Sequence, residues 1–480
     1  MVRRNSHSGF SLLVVGVLLL LFLPFSLAAD TSEQGADTPE QGIEGTDTTA
    51  TEAGFSLFEE GSTATGPTWS GRVWANSRLY LDKDETWDSA WDTIPRTDLS
   101  LETGSDEAEL KVKFRWDPAW QTQGSTPLFQ RMIDEAYVRG FLGSTVLEAG
   151  YMKVVWGKGD DIHVLDVLNA TDYYDFVNNE YLERRVSEWM VRIAQPLGEM
   201  HSLELVWEPV TTPDRIPFEG KWKPYAISAL EAQVSTLIGS SVTASALMAQ
   251  DNLVQEDLST LADGTYGVRF TGSSHGFDYG ILYAYTYNRQ PKVEVRGLQS
   301  PSPQVFLVYD RVHCFGIEGS TAWQGFTFRW EGGYFLTGDT DGTDPEVRNN
   351  SVGYVVGFDR DLWTDGANLN LQLQGLVPLH TDEIDSNPMD VEYRSDGTYT
   401  NHILAGRLSG TILENKVEIK LSAAYGLEHQ DLRIAPELLY KPFDDFEITG
   451  RWVQYVGDAD TTFGQFEDSS FLEIGVNYRF

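Results

Sequence analysis

The chain ends Phe471-Leu472-Glu473-Ile474-Gly475-Val476-Asn477-Tyr478-Arg479-Phe480, a decapeptide that few soluble folds can use. Leu472, Ile474, Val476, Tyr478 and Phe480 share one face of a strand; Glu473, Gly475, Asn477 and Arg479 share the other. One face asks for hydrocarbon and the other for water, which is the situation of a strand in the wall of a transmembrane barrel.

The same period of two recurs upstream. Ala108, Leu110, Val112, Phe114 and Trp116 alternate with Glu109, Lys111, Lys113 and Arg115. Phe277, Tyr279, Ile281, Tyr283, Tyr285 and Tyr287 occupy one face, as do Leu369, Leu371 and Leu373, and Val417, Ile419, Leu421 and Ala423. An amphipathic helix would repeat at i, i+3 and i+4, and these segments do not. Short turns such as Gly104-Ser105, Leu142 to Ser144, Ser273 to His275 and Glu414-Asn415 alternate with longer polar connections. The longer ones are Leu81 to Arg96, Gly157 to Glu183, Gln290 to Pro303, Thr337 to Asn350 and Pro378 to Thr400. This rhythm predicts an all-β fold, a closed antiparallel transmembrane β-barrel of about 18–20 strands with an even count, short periplasmic turns and long outer loops. Thr97 to Thr103 and Asp431 to Tyr440 are its weakest strands.

Arg3 and Arg4 precede the apolar run Phe10 to Leu27, and Ser26-Leu27-Ala28 offers small residues for cleavage. A secretory signal peptide over 1–28 is therefore expected. Beyond it no stretch approaches the ~18 apolar residues of a membrane helix, so a membrane form of this chain must be a closed sheet. Asp30 to Pro67 carries nine acidic residues and no Lys or Arg; residues 29–67 are expected to be a disordered acidic periplasmic leader, and 68–480 the barrel. A formal charge of -37 argues against a nucleic-acid partner. The single Cys314 excludes a disulfide within one chain. No zinc-like cluster is visible, and neither cofactor nor metal is expected.

With the apolar faces on lipid, the polar faces point into the lumen. Lys111, Lys113, Arg115, Arg139, Arg192, Arg269, Arg329 and Arg451, with Glu109 and Glu135, are the expected lining; Lys420, Arg479, Glu188, Glu204, Glu418, Glu447 and Glu473 point the same way. Two arrangements remain open: a water-filled channel, or charges that pair across neighbouring strands and plug it.

Lys153 to Asp161 leads into Ile162-His163-Val164-Leu165-Asp166-Val167-Leu168-Asn169-Ala170-Thr171-Asp172-Tyr173. The run resembles a segment of a poorly characterised, porin-like group of bacterial outer-membrane barrels. There a Trp-Gly-basic-x-Asp turn, here Trp156 to Asp160, precedes an Asp-x-x-Asn-Pro-x-Asp-Tyr stretch, here Asp166 to Tyr173. Ala170 stands where that pattern carries Pro, which predicts a looser turn. The resemblance implies a pore-forming or solute-uptake barrel and names no cargo. Val164, Leu165, Val167 and Leu168 form an apolar face that a solvated loop would not need, so the segment is a candidate constriction. Asp160, Asp161, His163, Asp166, Asp172 and Asp175 would set the field there, opposite the basic wall. The alternative is a loop packed on the rim or on a neighbouring subunit. Tyr478 and Phe480 resemble the terminal assembly signal of outer-membrane barrels of two-membrane bacteria.

Asp339 to Glu346 spaces carboxylates around Gly342 like part of a calcium loop but lacks the full ligand series. Enzymatic activity is not expected: Ser274-His275 falls in a tight turn, and neither a Gly-x-Ser-x-Gly elbow nor a His-Glu-x-x-His helix occurs. The expected function is passive or weakly selective diffusion of small hydrophilic solutes. Its partners would be outer-membrane lipid and the barrel-assembly machinery, with the oligomeric state open. The rival is a closed structural or adhesive outer-membrane barrel without transport.

Overall fold

The computed structural model describes residues 66–82, 90–117, 132–160, 162–174, 181–249, 252–258, 260–300, 302–344, 346–362, 366–382 and 400–480. The expected signal peptide and nearly all of the acidic leader lie outside them. The first seven strands are β1 (Thr68–Tyr80), β2 (Trp91–Gly104), β3 (Ala108–Trp116), β4 (Ile133–Leu142), β5 (Thr145–Met152), β6 (Glu188–Pro196) and β7 (His201–Glu208). Then come β8 (Val254–Gln255), β9 (Thr265–Ser274), β10 (Phe277–Tyr287), β11 (Lys292–Arg296), β12 (Gln304–Val308), β13 (Arg311–Trp323) and β14 (Phe326–Leu336). The last are β15 (Ser351–Asp361), β16 (Asn368–Pro378), β17 (Asn401–Ile412), β18 (Val417–Gly426), β19 (Leu432–Phe443), β20 (Phe446–Val456) and β21 (Phe471–Arg479).

All of these except β8, β11 and β12 form one 18-stranded sheet of antiparallel neighbours. The sheet closes because β1 pairs with β2 on one edge and with β21 on the other, Val73 opposite Tyr478 and Leu79 opposite Leu472. Closure removes both edges, so every strand finds its backbone partners within the ring. Phe480 helps to seal the seam by exchanging backbone hydrogen bonds with Gly71 at 2.8 and 2.9 Å.

One face of the ring exposes Leu110, Val138, Leu147, Ile193, Leu205, Ile281, Ile317, Ile419 and Ile474. The alternate positions carry Glu109, Arg139, Glu148, Arg192 and Glu204. Both weak strand assignments are real strands, within β2 and β19. The connection after β1 ends before Arg96, because β2 already begins at Trp91. The hairpin turns after β2, β4, β6, β9, β13, β17 and β19, and both ends of the sheet at Thr68 and Arg479, sit on one rim. The long connections leave from the other, together with the short turn between β18 and β19.

The sequence reading missed a folded insert. Between β7 and β9 the chain forms helices here called α2 (Tyr225–Ile238) and α3 (Ser241–Met248), after a single turn α1 (Tyr181–Arg184). Ile227, Leu230 and Val234 repeat at helical spacing and are buried, Gly239 ends α2 in the left-handed region at φ 75°, and Ser240 caps α3 by accepting from Thr243 N. The expected loop Gln290 to Pro303 likewise contains β11, which pairs with β12, while β8 lies parallel on β12. Helices and small sheet share an apolar cluster of Phe218, Leu230, Val234, Met248, Val305 and Leu307. These three strands lie outside the ring, so the even count of 18 holds.

Candidate functional site

After β5 the chain turns into the barrel rather than over its rim. Trp156 is fully buried, and its indole Nε1 donates to Glu204 Oε1 on β7 at 2.6 Å. Its ring occupies space that only a glycine opposite allows: a Cβ on Gly267 of β9 would stand 2.4 Å from Cη2. Leu165 fits the same way against Gly316 and Gly333, where added Cβ atoms would approach its Cδ2 to 2.7 and 3.0 Å. Leu165 and Leu168 are wholly buried, joined by Met190, Val206, Leu282 and Cys314 of the wall. Each such large side chain contributes roughly 1.5–3 kcal/mol.

Glu331 of β14 anchors the segment. Its carboxylate accepts from the amides of Gly159 at 2.6 Å, Val164 at 2.8 Å and Leu165 at 3.1 Å, and meets His163 Nδ1 at 2.7 Å. Burial works against a charged imidazole, but the bond to Glu331 and its negative charge prevail and raise the His163 pKa. Farther on, the Asp160 carboxylate accepts from Asn370 Nδ2 at 2.7 Å and Arg407 Nη2 at 3.0 Å, and Gln372 donates to its carbonyl. From β5 the ring runs β6, β7, β9, β10, β13, β14, β15, β16, β17. Arg407 therefore stands diametrically opposite the strand from which the segment departs. A connection that bonds both sides of a closed ring passes through its interior, and the polar face is the inner one.

The return leg is tied as firmly. Asn169 accepts from Val154 N at 2.8 Å and donates to the carbonyls of Met152 and Val186 at 3.2 and 2.9 Å. The Ala170 amide donates to Glu188 Oε1 at 2.7 Å. A proline has no such donor, so the alanine ties this turn down instead of loosening it. Arg289, buried, reaches Glu188 at 2.7 Å, Glu208 at 3.0 Å and the Leu168 carbonyl, binding β6, β7 and the segment together.

The expected acidic row is only partly a field-setting row. Asp160 meets the wall through Arg407, but Asp166 is buried against Arg185 and Tyr181, and Asp172 pairs with Arg215 Nη1 at 2.7 Å. Asp161 and Asp175 fall outside the described residues. Glu183, which the sequence reading placed only at the end of the loop, bonds Arg72 on β1 and lies 3.9 Å from Arg115 on β3.

The wall residues are joined across strands. Glu109, Arg139, Glu148, Arg192 and Glu204 form one chain of pairs over β3 to β7, with separations from 2.6 to 3.3 Å. Lys111 lies 3.4 Å from Glu135, Lys113 3.0 Å from Asp134, and Arg115 2.9 Å from Asp98. Arg269 pairs with Glu318, Arg329 with Asp359, and Arg451 with Glu473. Register puts Glu109 opposite Arg139, Arg139 opposite Glu148, Glu148 opposite Arg192, Asp98 opposite Arg115 and Arg451 opposite Glu473. Arg269 reaches Glu318 across β10, and the other pairs are offset along the strands.

The insert between β7 and β9 makes a second crossing. Trp222 packs on Tyr80, Tyr455, Phe466 and Phe471, with centroids 5.6 to 6.4 Å apart, at the β20–β21–β1 seam. Tyr225 N donates to Gln465 at 2.7 Å. The insert meets the segment that follows β5 where Thr171 N donates to Asp214 Oδ1 at 2.8 Å and Arg215 N to the Thr171 carbonyl at 2.9 Å. Burial pushes Asp214 up to about 6, although the Thr171 amide favours its charged form. In the Asp339 loop the carboxylate accepts from the Gly342 and Asp344 amides at 3.0 and 2.8 Å, and so serves to shape the turn. Among the described residues no group of three or more His, Cys, Asp or Glu could hold a metal ion.

No family model and no curated protein matches this sequence. Solved barrels resemble it in structure. Acinetobacter baumannii OccAB4 is 10% identical, with 87% of this chain and 98% of that one aligned at a TM-score of 0.45. Pseudomonas aeruginosa OccK11 (OpdR) is 8% identical over 88% and 98%, also at 0.45. A mutant of the Rh. blastica porin is 11% identical over 86% and 100%, at 0.39.

Proposed function

We propose that the chain is an outer-membrane channel of porin type for passive or weakly selective diffusion of small hydrophilic solutes, with residues 157–183 as its constriction. The observation that carries this reading is the crossing itself: a segment leaves β5, docks on one half of the inner wall and is tethered to Arg407 on the far side. The half it leaves uncovered is lined by polar and charged side chains that remain partly solvated, including Gln374, Lys420 and Ser422. Solvated charges in the interior need water around them. On the same reading residues 1–28 are a signal peptide, 29–67 a periplasmic leader, and Tyr478 and Phe480 the contact for the assembly machinery; no catalytic role is proposed.

Single-channel conductance of the folded mature protein in a planar bilayer tests this. Discrete steps that grow when Gly157–Glu183 is deleted are expected. A folded barrel that passes no current in either form would overturn the reading. A closed, adhesive barrel is the second reading, favoured by Trp222 bridging the mouth and by Leu237 and Val242, exposed on α2 and α3. Under that reading, current stays absent and loss of surface attachment follows removal of the insert.

A further inference from the structure

We infer, resting on the channel reading, that the solvated half of the lumen presents a cationic surface and favours anionic solutes, despite the formal charge of -37 on the chain. The inference comes from depth, not from counting. In the solvent-reaching ion pairs around the crossing the carboxylate lies against the sheet and the cation stands over it. Arg407 keeps 34% of its side chain accessible and its partner Asp160 13%; Arg72 keeps 21% and Asp98 6%; Lys113 keeps 23% and Asp134 1%. Arg192 over Glu148 and Glu204, and Arg451 over Glu473, follow the same order. Arg78, Arg96 and Arg115 are buried along with their carboxylates and put no charge in the water, and Glu102, Asp310 and Asp359 stand outside their cations.

The physical reason is reach. A guanidinium or ammonium group on a long stem extends past the shorter carboxylate that it neutralises and puts its charge in the water. A passing ion feels the nearer charge first. The deeper carboxylate lies several ångströms behind, and a low-dielectric wall focuses what field remains. Arg72 and Lys113 stand on β1 and β3 near the return end of the crossing and Arg407 on β17 at its far end, so a solute in the solvated half passes between cations. Nine of the acidic residues fall in Asp30 to Pro67, ahead of β1, so the formal charge of the chain is no measure of the charge on this wall.

The test is the reversal potential of the folded protein in a bilayer across a KCl gradient, with the dilute side near ~0.1 M, where the Debye length is ~10 Å. A chloride-to-potassium permeability ratio of about 3 is expected, falling toward ~1 as salt rises and screening shortens the field. The combined variant Arg72→Gln, Lys113→Gln and Arg407→Gln should bring the ratio to ~1 or below even in dilute salt. Potassium preference in the unaltered protein would overturn the inference while leaving the channel reading intact. So would an unchanged ratio in the variant, once its heat-dependent gel mobility shows a folded barrel. Should the triple variant not fold, Arg407→Gln alone, on the most accessible of the three cations, must still lower the ratio. Absence of any current would overturn the channel reading itself, and this inference with it.

Discussion

From β5 round to β14 the inner wall beneath the crossing is dry. Met190, Val206, Leu282 and Cys314 meet Trp156, Leu165 and Leu168 there, and Gly267, Gly316 and Gly333 make room for them. From β16 round to β4 the same face of the same sheet carries Gln374, Arg407, Lys420, Ser422, Arg72 and Lys113, all partly solvated. Both halves obey one backbone pattern, and their outer faces are alike. What separates them is the size of the inward side chain: small residues admit a segment on one side, long charged ones hold water on the other. An asymmetric lumen can thus be built on a uniform barrel.

The largest expected effect breaks the dry half at its anchor. Arg289→Ala would leave Glu188 and Glu208 buried without their partner, and losing one member of a buried ion cluster costs ~3–5 kcal/mol. A lower urea midpoint for barrel unfolding and early protease cleavage between 157 and 187 are expected; unchanged resistance would show that the crossing is held elsewhere. Next comes overpacking. Gly316→Val would drive a side chain into Leu165 and Leu282 at a cost of ~1–3 kcal/mol, displacing the segment and enlarging the conductance. The matching change in the wet half, Ala405→Val on the inner face of β17, meets solvent and should leave stability within ~0.5 kcal/mol. Equal losses at the two sites would erase the distinction between the halves.

Acidity sharpens the same contrast. His163 binds protons more tightly in the fold than its ordinary 6.5, so its contribution is complete below that value and is lost as pH rises through the raised one. Asp214, raised from 3.8 to about 6, contributes fully below 3.8 and loses that contribution as pH rises through about 6. Both therefore dock the segment better in acid, and conductance should rise with pH. Asp214→Asn should remove the acid-side part of that rise and leave the part due to His163. The smallest effect belongs to the wet half: Arg407→Gln breaks a pair one-third open to solvent, worth at most ~1 kcal/mol. Its unfolding midpoint should hardly move.

Much of the fold was legible because a strand between lipid and water must alternate. That rule located even the weak strands in β2 and β19 and most of the turn rhythm. The helical insert went unread because its apolar spacing at Ile227, Leu230 and Val234 lies in a connection that barrel logic treats as polar loop. The site was half legible. The apolar run Val164 to Leu168 announced a buried segment, and Trp156 to Asp160 its entry. Nothing in the acidic pattern distinguished Asp160, which reaches the far wall, from Asp166 and Asp172, which are spent on Arg185 and Arg215.

Alternation is local: each residue reports which face it occupies, and the closing decapeptide does so without help from the rest of the chain. Sequence alone therefore determined that this protein is a closed two-faced sheet, and which side chains share a face. Which inward side chains meet depends on ring closure, since Asp160 and Arg407 are 247 residues apart and become neighbours only when β21 has sealed against β1. Glu331, the inward glycines and Arg289 acquire their roles in the same way, by facing across a ring what they never approach along a chain. Tertiary structure decided the dry half, the wet half and the order of depth in each ion pair, because packing and solvation are properties of neighbours in space.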